Sequence, residues 1–311
     1  MNNEPTTLIE AVRHYSDLTV CNEYLAKIKW PDGVITCPKC GGTHVGRIAT
    51  RNMLRCNAKG CRKQFSYKVG TIFEDSPLGL DKWFVAVWCI TNAKNGISSC
   101  ELGRALGVTQ KTAWFMLHRI RLAMKVKSFK KFTGEIEVDE TGIGGKSINM
   151  HASVRRRRIG TGGTGLKCKT IVQGVLSRGG EVRCHVVPNQ KKSALQQTIR
   201  DNVEPGSVVY TDALRSYKGL EADYVHQVID HAKSYVQARV HTNGMENFWS
   251  LLKRGLKGTY VAVAPWHLSR YVDEQVMRFN KRTGTDASRF AHVMRHIVGR
   301  RLMFKELIGT T

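Results

Sequence analysis

The sequence predicts an α/β domain preceded by a small metal-binding module and a helical region. Three observations support this architecture. Two close pairs of cysteines lie near the N-terminus, at a spacing typical of a zinc ribbon. Apolar residues then recur at helical spacing from Gly70 to about Lys131. At Gly134 the period changes from 3.6 to 2, and predicted strands and helices follow in the order βββ-α-β-α-β-α.

The composition is strongly basic. Lys and Arg number 49 against 25 for Asp and Glu, which gives a formal net charge of +24. A protein with this charge attracts polyanions, and nucleic acid is the usual one. No apolar run is long enough to cross a bilayer, and the first residues lack the pattern of a signal peptide. We therefore expect a cytoplasmic protein that binds nucleic acid and does not enter a membrane.

The cysteine pairs predict a structural zinc site. Cys37 and Cys40 form a C-x2-C pair, Cys56 and Cys61 form a C-x4-C pair, and fifteen residues separate the pairs. This spacing matches a tetrahedral zinc ribbon, and four thiolates leave no open position for catalysis. Two short helices are predicted over residues 8–29. We assign the helices and the ribbon to a first domain, residues 1–70.

A helix-turn-helix is predicted in the second domain, residues 71–131. A short helix ends at Gly107, and Thr109 is placed to cap a second helix that runs to about Lys125. The basic side chains of this second helix suit a DNA major groove and its phosphates: Lys111, His118, Arg119, Arg121 and Lys125. An ordinary helical hairpin is the alternative interpretation.

Acidic and aliphatic residues alternate directly after Gly134. Glu135, Glu137 and Asp139 therefore share one face of a predicted strand. Three acids on one strand face are costly unless a cation lies among them, so we expect a cation there. A long loop to Gly165 follows this strand, and it carries four consecutive arginines: Arg155, Arg156, Arg157 and Arg158. The loop is either simply solvated or a DNA contact.

Two further acids occupy positions that suit a functional site. Asp212 ends a short aliphatic strand, at the carboxyl edge of a sheet. Glu246 begins the polar edge of a predicted helix whose other side is apolar. Lys253 lies two turns further along, about 10 Å away along the helix axis. A capping box formed by Asn243 and Glu246 is the competing interpretation of this acid.

Ordered motifs along nearly the whole chain support a resemblance. They are the two cysteine pairs, Gly70–Glu74, Ile136–Thr141, Gly144–Lys146, Tyr210–Asp212, His241–Arg254, Gly258–Tyr260, Tyr271–Glu274 and Arg278–Asn280. In these motifs the chain resembles the DDE transposases of prokaryotic insertion sequences, and among them the ISXO2-like group with an N-terminal zinc ribbon. The resemblance implies an RNase H-like catalytic domain with a mixed five-stranded sheet and C-terminal helices over residues 132–311.

The resemblance also implies roles for individual residues. Asp139, Asp212 and Glu246 would hold two Mg2+ (or Mn2+) ions per active site, and Lys253 would contact phosphate. Glu137 and Glu140 are the alternatives for the first acid, and Asn243 is the alternative for the third. Arg254, next to Lys253, is expected to contact DNA.

The implied function is transposition. The enzyme would nick the ends of its insertion sequence and join the freed 3′ hydroxyls to target DNA. Its partners would be double-stranded DNA, namely terminal inverted repeats and target, and further copies of itself in a homo-oligomer assembled on DNA. The expected location is the nucleoid of a prokaryote. The alternative is a catalytically inactive or repurposed DNA-binding protein with a zinc ribbon and a helix-turn-helix.

Overall fold

The computed structural model describes residues 4–125, 130–145, 149–159, 169–229 and 241–309. The chain divides into two compact units. The first, which we call the N-terminal unit, contains Met1–Val126 together with Thr283–Thr311. The second, which we call the sheet unit, contains Lys127–Arg282. The last 29 residues, 283–311, thus differ from the sequence-based expectation, which places them with the sheet.

The regular elements of the described residues follow the predicted order, except that one further helix lies between the first two strands of the large sheet. The strands are β1 (Val45–Ile48), β2 (Met53–Cys56), β3 (Gln64–Phe65), β4 (Glu135–Ile143), β5 (Thr170–Ser177), β6 (Val182–Val187), β7 (Val208–Asp212) and β8 (Val225–Ile229). The α-helices are α1 (Leu8–Tyr15), α2 (Leu18–Lys29), α3 (Leu80–Asn92), α4 (Ser99–Leu106), α5 (Gln110–Met124), α6 (Ala152–Ile159), α7 (Lys192–Asn202), α8 (Asn243–Gly258), α9 (Leu268–Asn280), α10 (Asp286–Met294) and α11 (Phe304–Ile308).

Local capping defines the helix-turn-helix in the N-terminal unit. Ser98 and Glu101 form a capping box at the start of α4. Gly107 ends α4 in the left-handed region with φ 61°, a conformation that favours glycine. The Thr109 side chain accepts the backbone N–H of Thr112 and caps α5. The predicted turn and both helix boundaries are therefore confirmed.

Aromatic packing explains why the last residues belong to the N-terminal unit. Trp83, Phe84 and Trp88 of α3 are almost fully buried. Phe290 of α10 stacks on Tyr15 with ring centroids 5.2 Å apart, and it also packs against Phe84 and Trp88. These contacts join sequence positions that no local pattern connects.

The sheet unit is built on a mixed five-stranded sheet with the order β6-β5-β4-β7-β8. Strands β4, β5 and β6 are antiparallel neighbours, whereas β4, β7 and β8 run parallel. Glu137 pairs with Tyr210 in the β4–β7 register. This is the last pair of that register, and Asp139 and Asp212 each lie two residues beyond it on their own strand.

Helices cover both faces of this sheet. Ile136 and Val138 face a buried cluster with Leu195 and Ile199 of α7. The opposite face packs against α8 and α9 through the buried side chains Val172, Leu176, Met245, Phe248, Trp249, Leu252, Leu268 and Val272. Side chains alternate along a strand, so Glu137 and Asp139 lie on the α8 side. No helix within the described ranges is long and apolar enough to span a membrane.

One predicted loop contains a helix. Residues 152–159 form α6, within the segment from Gly142 to Gly165 that the sequence analysis treats as irregular. Arginine has a high helix propensity, but α6 has no apolar stripe, which is the pattern used to predict helices. Residues 146–148 and 160–168 of this segment lie outside the described residues.

Candidate functional site

The four cysteines converge on one point. Their sulfur atoms all lie within 4.8 Å of one another, with Cys37 Sγ 3.7 Å from Cys61 Sγ and Cys40 Sγ 3.6 Å from Cys56 Sγ. Four thiolates about 2.3 Å from a central Zn2+ would stand roughly 3.8 Å apart, so the cluster fits zinc. It also fits a structural role, because thiolates would fill the whole tetrahedron.

Asp139 is the most firmly held of the predicted catalytic acids. Its Oδ2 accepts a hydrogen bond from Trp249 Nε1 at 2.9 Å, and its Oδ1 accepts the backbone N–H of Glu140 at 2.8 Å. The first bond links β4 to α8, so the apolar stripe of α8 also orients the acid. The apolar stripe of α8 predicts that Trp249 lies in the core, but it does not predict this second role.

Asp212 and Glu246 lie close enough to Asp139 to influence its charge. Burial raises the pKa of Asp139 to about 6, and the negative charges of Asp212 and Glu246 act in the same direction. Asp212 Oδ1 accepts the backbone N–H of Leu214 at 3.1 Å, which fixes it at the end of β7. The three carboxylates come from β4, β7 and α8, and they are not as tightly gathered as the four thiolates, the one metal-type cluster among the described residues.

Helix α8 presents Glu246 in the expected way. Met245, Phe248, Trp249, Leu252 and Leu256 are buried, whereas Glu246 is exposed and Lys253 is half-buried. The helix begins at Asn243 after Thr242, so Asn243 is not its N-cap, and Thr242 makes no side-chain capping bond. The structure therefore contradicts the capping interpretation of Glu246.

Glu137 performs the capping instead. Its Oε2 accepts the backbone N–H of Met245 at 3.0 Å, in the first turn of α8. Its Oε1 lies 3.0 Å from Arg178 Nε, and Arg178 Nη1 is 3.6 Å from Glu135 Oε2. Arg178, which sequence analysis overlooked in its hairpin turn, is thus the cation for two of the three acids on this strand face. Among the described residues, no salt bridge neutralises Asp139.

Glu140, the other alternative acid, points to the opposite face. It accepts hydrogen bonds from the Tyr217 hydroxyl and from Gln190 Nε2. Burial raises the pKa of Glu140 to about 7. Because these contacts fix it away from the α8 side, it cannot replace Asp139 beside Glu246.

Three of the basic residues predicted to contact DNA are buried. His118, Arg119 and Arg121 on α5 are at most 3% exposed, so the prediction that they lie on an exposed helix face that enters a DNA groove is wrong. Most residues in the second half of α5 are buried, and Arg119 donates to the Glu74 carbonyl. Lys111 at the start of α5 and Lys125 after its end are exposed, as predicted.

The remaining basic candidates belong to the sheet unit. Arg155, Arg156 and Arg157 are exposed on α6, and the side chain of Arg158 lies outside the described residues. Arg254 is exposed on α8, next to Lys253. These side chains are accessible to a polyanion. Helix α6 follows β4 in the chain, and Arg254 lies on α8, so the basic side chains lie on or next to elements that carry the acids.

Comparison with known proteins agrees with this architecture. Residues 131–280 match the ISXO2-like transposase domain, and residues 19–64 match the transposase zinc-ribbon domain. A protein of transposable element ISH50 from Halobacterium salinarum is 31% identical over 245 residues, which cover 75% of this chain and 81% of that protein. A transposase-like protein from Haemophilus influenzae is 36% identical over 96 residues, which cover 30% of this chain and 77% of that protein.

The two matches include the four cysteines of the ribbon and the three acids of the sheet unit. The zinc-ribbon match includes Cys37, Cys40, Cys56 and Cys61, and the transposase-domain match spans β4, β7 and α8 with the three acids. A domain of this family implies the RNase H-like fold that the mixed sheet was expected to have. The chain therefore belongs to the ISXO2-like transposases, the transposase family in which a zinc ribbon precedes the transposase domain.

Proposed function

We propose that this protein is a DNA transposase that nicks the ends of its insertion sequence and joins the freed 3′ hydroxyls to target DNA. The observation that supports this most directly is the meeting of Asp139, Asp212 and Glu246. They come from three separate elements of a transposase domain, and the charges of the last two raise the pKa of the first.

The donor set suits a hard divalent cation. Carboxylate oxygens are the ligands preferred by Mg2+ and Mn2+. We propose that Asp139, Asp212 and Glu246 would together hold two such ions. When bound, such ions supply electrostatic stabilisation of the charge that develops at the phosphorus.

The chain itself supplies orientation. The Trp249 indole and the Glu140 N–H hold the Asp139 carboxylate in one position, and the Leu214 N–H does the same for Asp212. Lys253 lies two helical turns beyond Glu246 on the same polar edge, where its ammonium group can contact a phosphate. In nicking, water would attack the phosphorus and release a 3′ hydroxyl. In joining, that hydroxyl would attack a target phosphodiester, form the new bond to phosphorus and displace the 3′ hydroxyl of the target strand.

DNA recognition would be divided along the chain. We propose that residues 1–70 and 71–131 bind the terminal inverted repeats, with Lys111 of α5 among the contacts. Residues 132–282 would perform the chemistry, while Arg155–Arg157 and Arg254 contact the DNA backbone. A homo-oligomer assembled on the two ends would bring both into one complex.

Purified protein, DNA carrying the element's own ends and a supercoiled target provide the test. We expect nicks at the ends and joined products that need Mg2+ or Mn2+, and we expect none with Asp212→Asn although this variant still binds the ends. If the parent binds the ends and yields neither product under any divalent cation, the alternative of a catalytically inactive DNA-binding protein is favoured instead.

A further inference from the structure

The N-terminal unit contains a cavity beside the second helix of the helix-turn-helix. Its volume is about 300 Å³, at the lower end of the range for small-ligand sites. Aromatic and apolar side chains form most of the wall, and two cations complete it: Trp83, Phe115, Met116, Phe304, Lys111 and Arg119. The cavity therefore combines flat apolar surfaces with positive charge.

Arg119 has fewer partners than a buried guanidinium normally has. It is 3% exposed, and within the described part of the chain its one hydrogen bond joins Nη2 to the Glu74 carbonyl. Its Nε has no hydrogen-bond partner among the described residues, and no carboxylate of those residues forms an ion pair with it. A buried, under-bonded charge is costly unless an acceptor satisfies it. Burial lowers the pKa of Arg119 to about 10, so it stays cationic at neutral pH.

Aromatic rings surround both cations. The Arg119 guanidinium carbon lies 5.4 Å from the Trp83 ring and 5.4 Å from the Phe115 ring. Lys111 Nζ lies 4.9 Å from the centroid of the Phe304 ring. Asp75, the acid among the residues that line the cavity, forms an ion pair with Arg301. The net charge at the cavity is therefore positive, which favours an anion that carries a planar ring.

We propose that this cavity binds a single unpaired deoxynucleotide, with its base against the aromatic rings and its phosphate at Arg119 and Lys111. A nucleotide is the anionic planar ligand that fits a strongly basic protein. Base–aromatic stacking tolerates any base, whereas a guanidinium and an ammonium both suit phosphate.

The position on α5 supports DNA as the source of that nucleotide. Lys111 and Thr112 line the cavity and lie in the first turn of α5, the end of a second helix that normally approaches base edges. This source rests on the proposed function, because it needs DNA bound at the helix-turn-helix. A free mononucleotide has the same chemistry and is the other source.

Fluorescence titration with 2-aminopurine separates the two sources. The probes are free 2-aminopurine deoxyribonucleoside 5′-monophosphate, a duplex with one bulged 2-aminopurine, and the same duplex with that base paired. The full-length, zinc-loaded protein is used without added divalent cation, so a failure of strand cleavage does not affect the result. We expect saturable quenching with the bulged duplex that the paired duplex does not show. Saturation with the mononucleotide alone supports the same site with a free nucleotide as ligand.

Variants assign the signal to the cavity. Arg119→Met and Phe304→Ala should each weaken probe binding tenfold or more, whereas the exposed neighbour Lys305→Met should change it less than twofold. Arg119→Met fills similar volume and removes an under-bonded charge, so its melting temperature should not fall. Half-buried Phe304 provides an independent variant if the first does not fold. Equal quenching of bulged and paired duplexes, no quenching of any probe, or parental affinity in both variants would overturn the proposal.

Discussion

Two glutamates and one aspartate on the same strand face have different physical roles. Glu137 is buried in an ion pair and caps α8, Glu135 is half-exposed at the edge of that pair, and Asp139 is half-buried, where Asp212 and Glu246 influence its charge. Sequence alternation predicts that the three share a face, but it cannot show which of them Arg178 neutralises. That choice depends on a hairpin turn whose geometry is set by tertiary contacts.

The raised pKa of Asp139 predicts that the free energy of unfolding depends on pH. In the unfolded chain this acid ionises near pH 4, whereas in the folded chain it ionises near pH 6, so folding becomes less favourable as pH rises between those values. Asp139→Asn removes that dependence. Between pH 5 and pH 8, without added divalent cation, the parent should lose about 1 kcal/mol more unfolding free energy than the variant. Urea denaturation at each pH measures this, and parallel curves would contradict it.

Glu137 should contribute more to the free energy of unfolding than Glu135 does. Glu137→Gln leaves Arg178 partly unpaired in the interior, so we expect a loss of about 2–3 kcal/mol in unfolding free energy. Glu135→Gln is the matched control on the same face, and we expect it to cost less than about 1 kcal/mol. Chemical denaturation compares the two variants. Equal costs would show that Glu137 does not secure α8 to β4.

At the scale of elements, the fit of α8 against the sheet determines where Asp139 points. Gly174 on β5 pairs with Asp139, and a Cβ at Gly174 would lie 2.1 Å from Met245 Cε and 3.0 Å from Trp249 Cζ2. The absence of a side chain there lets α8 approach until Trp249 reaches Asp139. Periodicity predicts the apolar face of α8 correctly, but it does not predict this close approach.

Gly174→Ala should therefore impair catalysis without touching an acid. We expect a stability loss of about 1–3 kcal/mol from overpacking, and at least a tenfold slower DNA nicking rate because the Trp249–Asp139 bond is displaced. Gly258→Ala, at the end of α8 with nothing within 4 Å of the added carbon, is the control and should nick at the parental rate. Parental nicking by the folded Gly174→Ala protein would disprove this dependence.

The prediction of helices and of their exposed faces from the sequence fails where charged residues stand in place of an apolar stripe. Helix α6 contains a run of arginines, so no apolar stripe marks it. On α5 the opposite error occurs: charged side chains suggested an exposed face, but His118, Arg119 and Arg121 are buried among aromatic and apolar neighbours. A single sequence does not reveal that a cation is placed against aromatic rings rather than in water.

At the scale of the whole molecule, the chain combines a zinc-ribbon region with a transposase domain, and its final segment returns to the N-terminal unit. Long-range aromatic contacts such as Tyr15 with Phe290 cause this return. They lie hundreds of residues apart, beyond the reach of any periodic pattern. Motif spacing predicted the cysteine cluster because each cysteine pair is local. The roles of Asp139, Asp212 and Glu246 stay predictions that the resemblance implies.

Zinc should be needed to hold the ribbon folded, because three short strands have little core of their own. Cys37→Ser combined with Cys56→Ser should abolish the bound zinc, which parent protein should contain at one ion per chain. Elemental analysis measures the content, with Cys100→Ser, an exposed cysteine outside the cluster, as control. Undiminished zinc in the double variant would refute the assignment.

We propose that Glu246 is a catalytic carboxylate of a transposase, and a nicking assay with matched variants separates this role from a structural one. Glu246→Gln keeps the size of the side chain and removes its charge, and Ser250→Ala one turn later on the same exposed edge is the control. Both variants and the parent are given DNA with the element's ends and Mg2+, and binding and nicking are measured on the same samples. We expect all three to bind the ends, the parent and Ser250→Ala to nick them, and Glu246→Gln to nick at least a thousandfold more slowly, a barrier increase of about 4 kcal/mol. Near-parental nicking by Glu246→Gln would show that Glu246 is not a catalytic carboxylate.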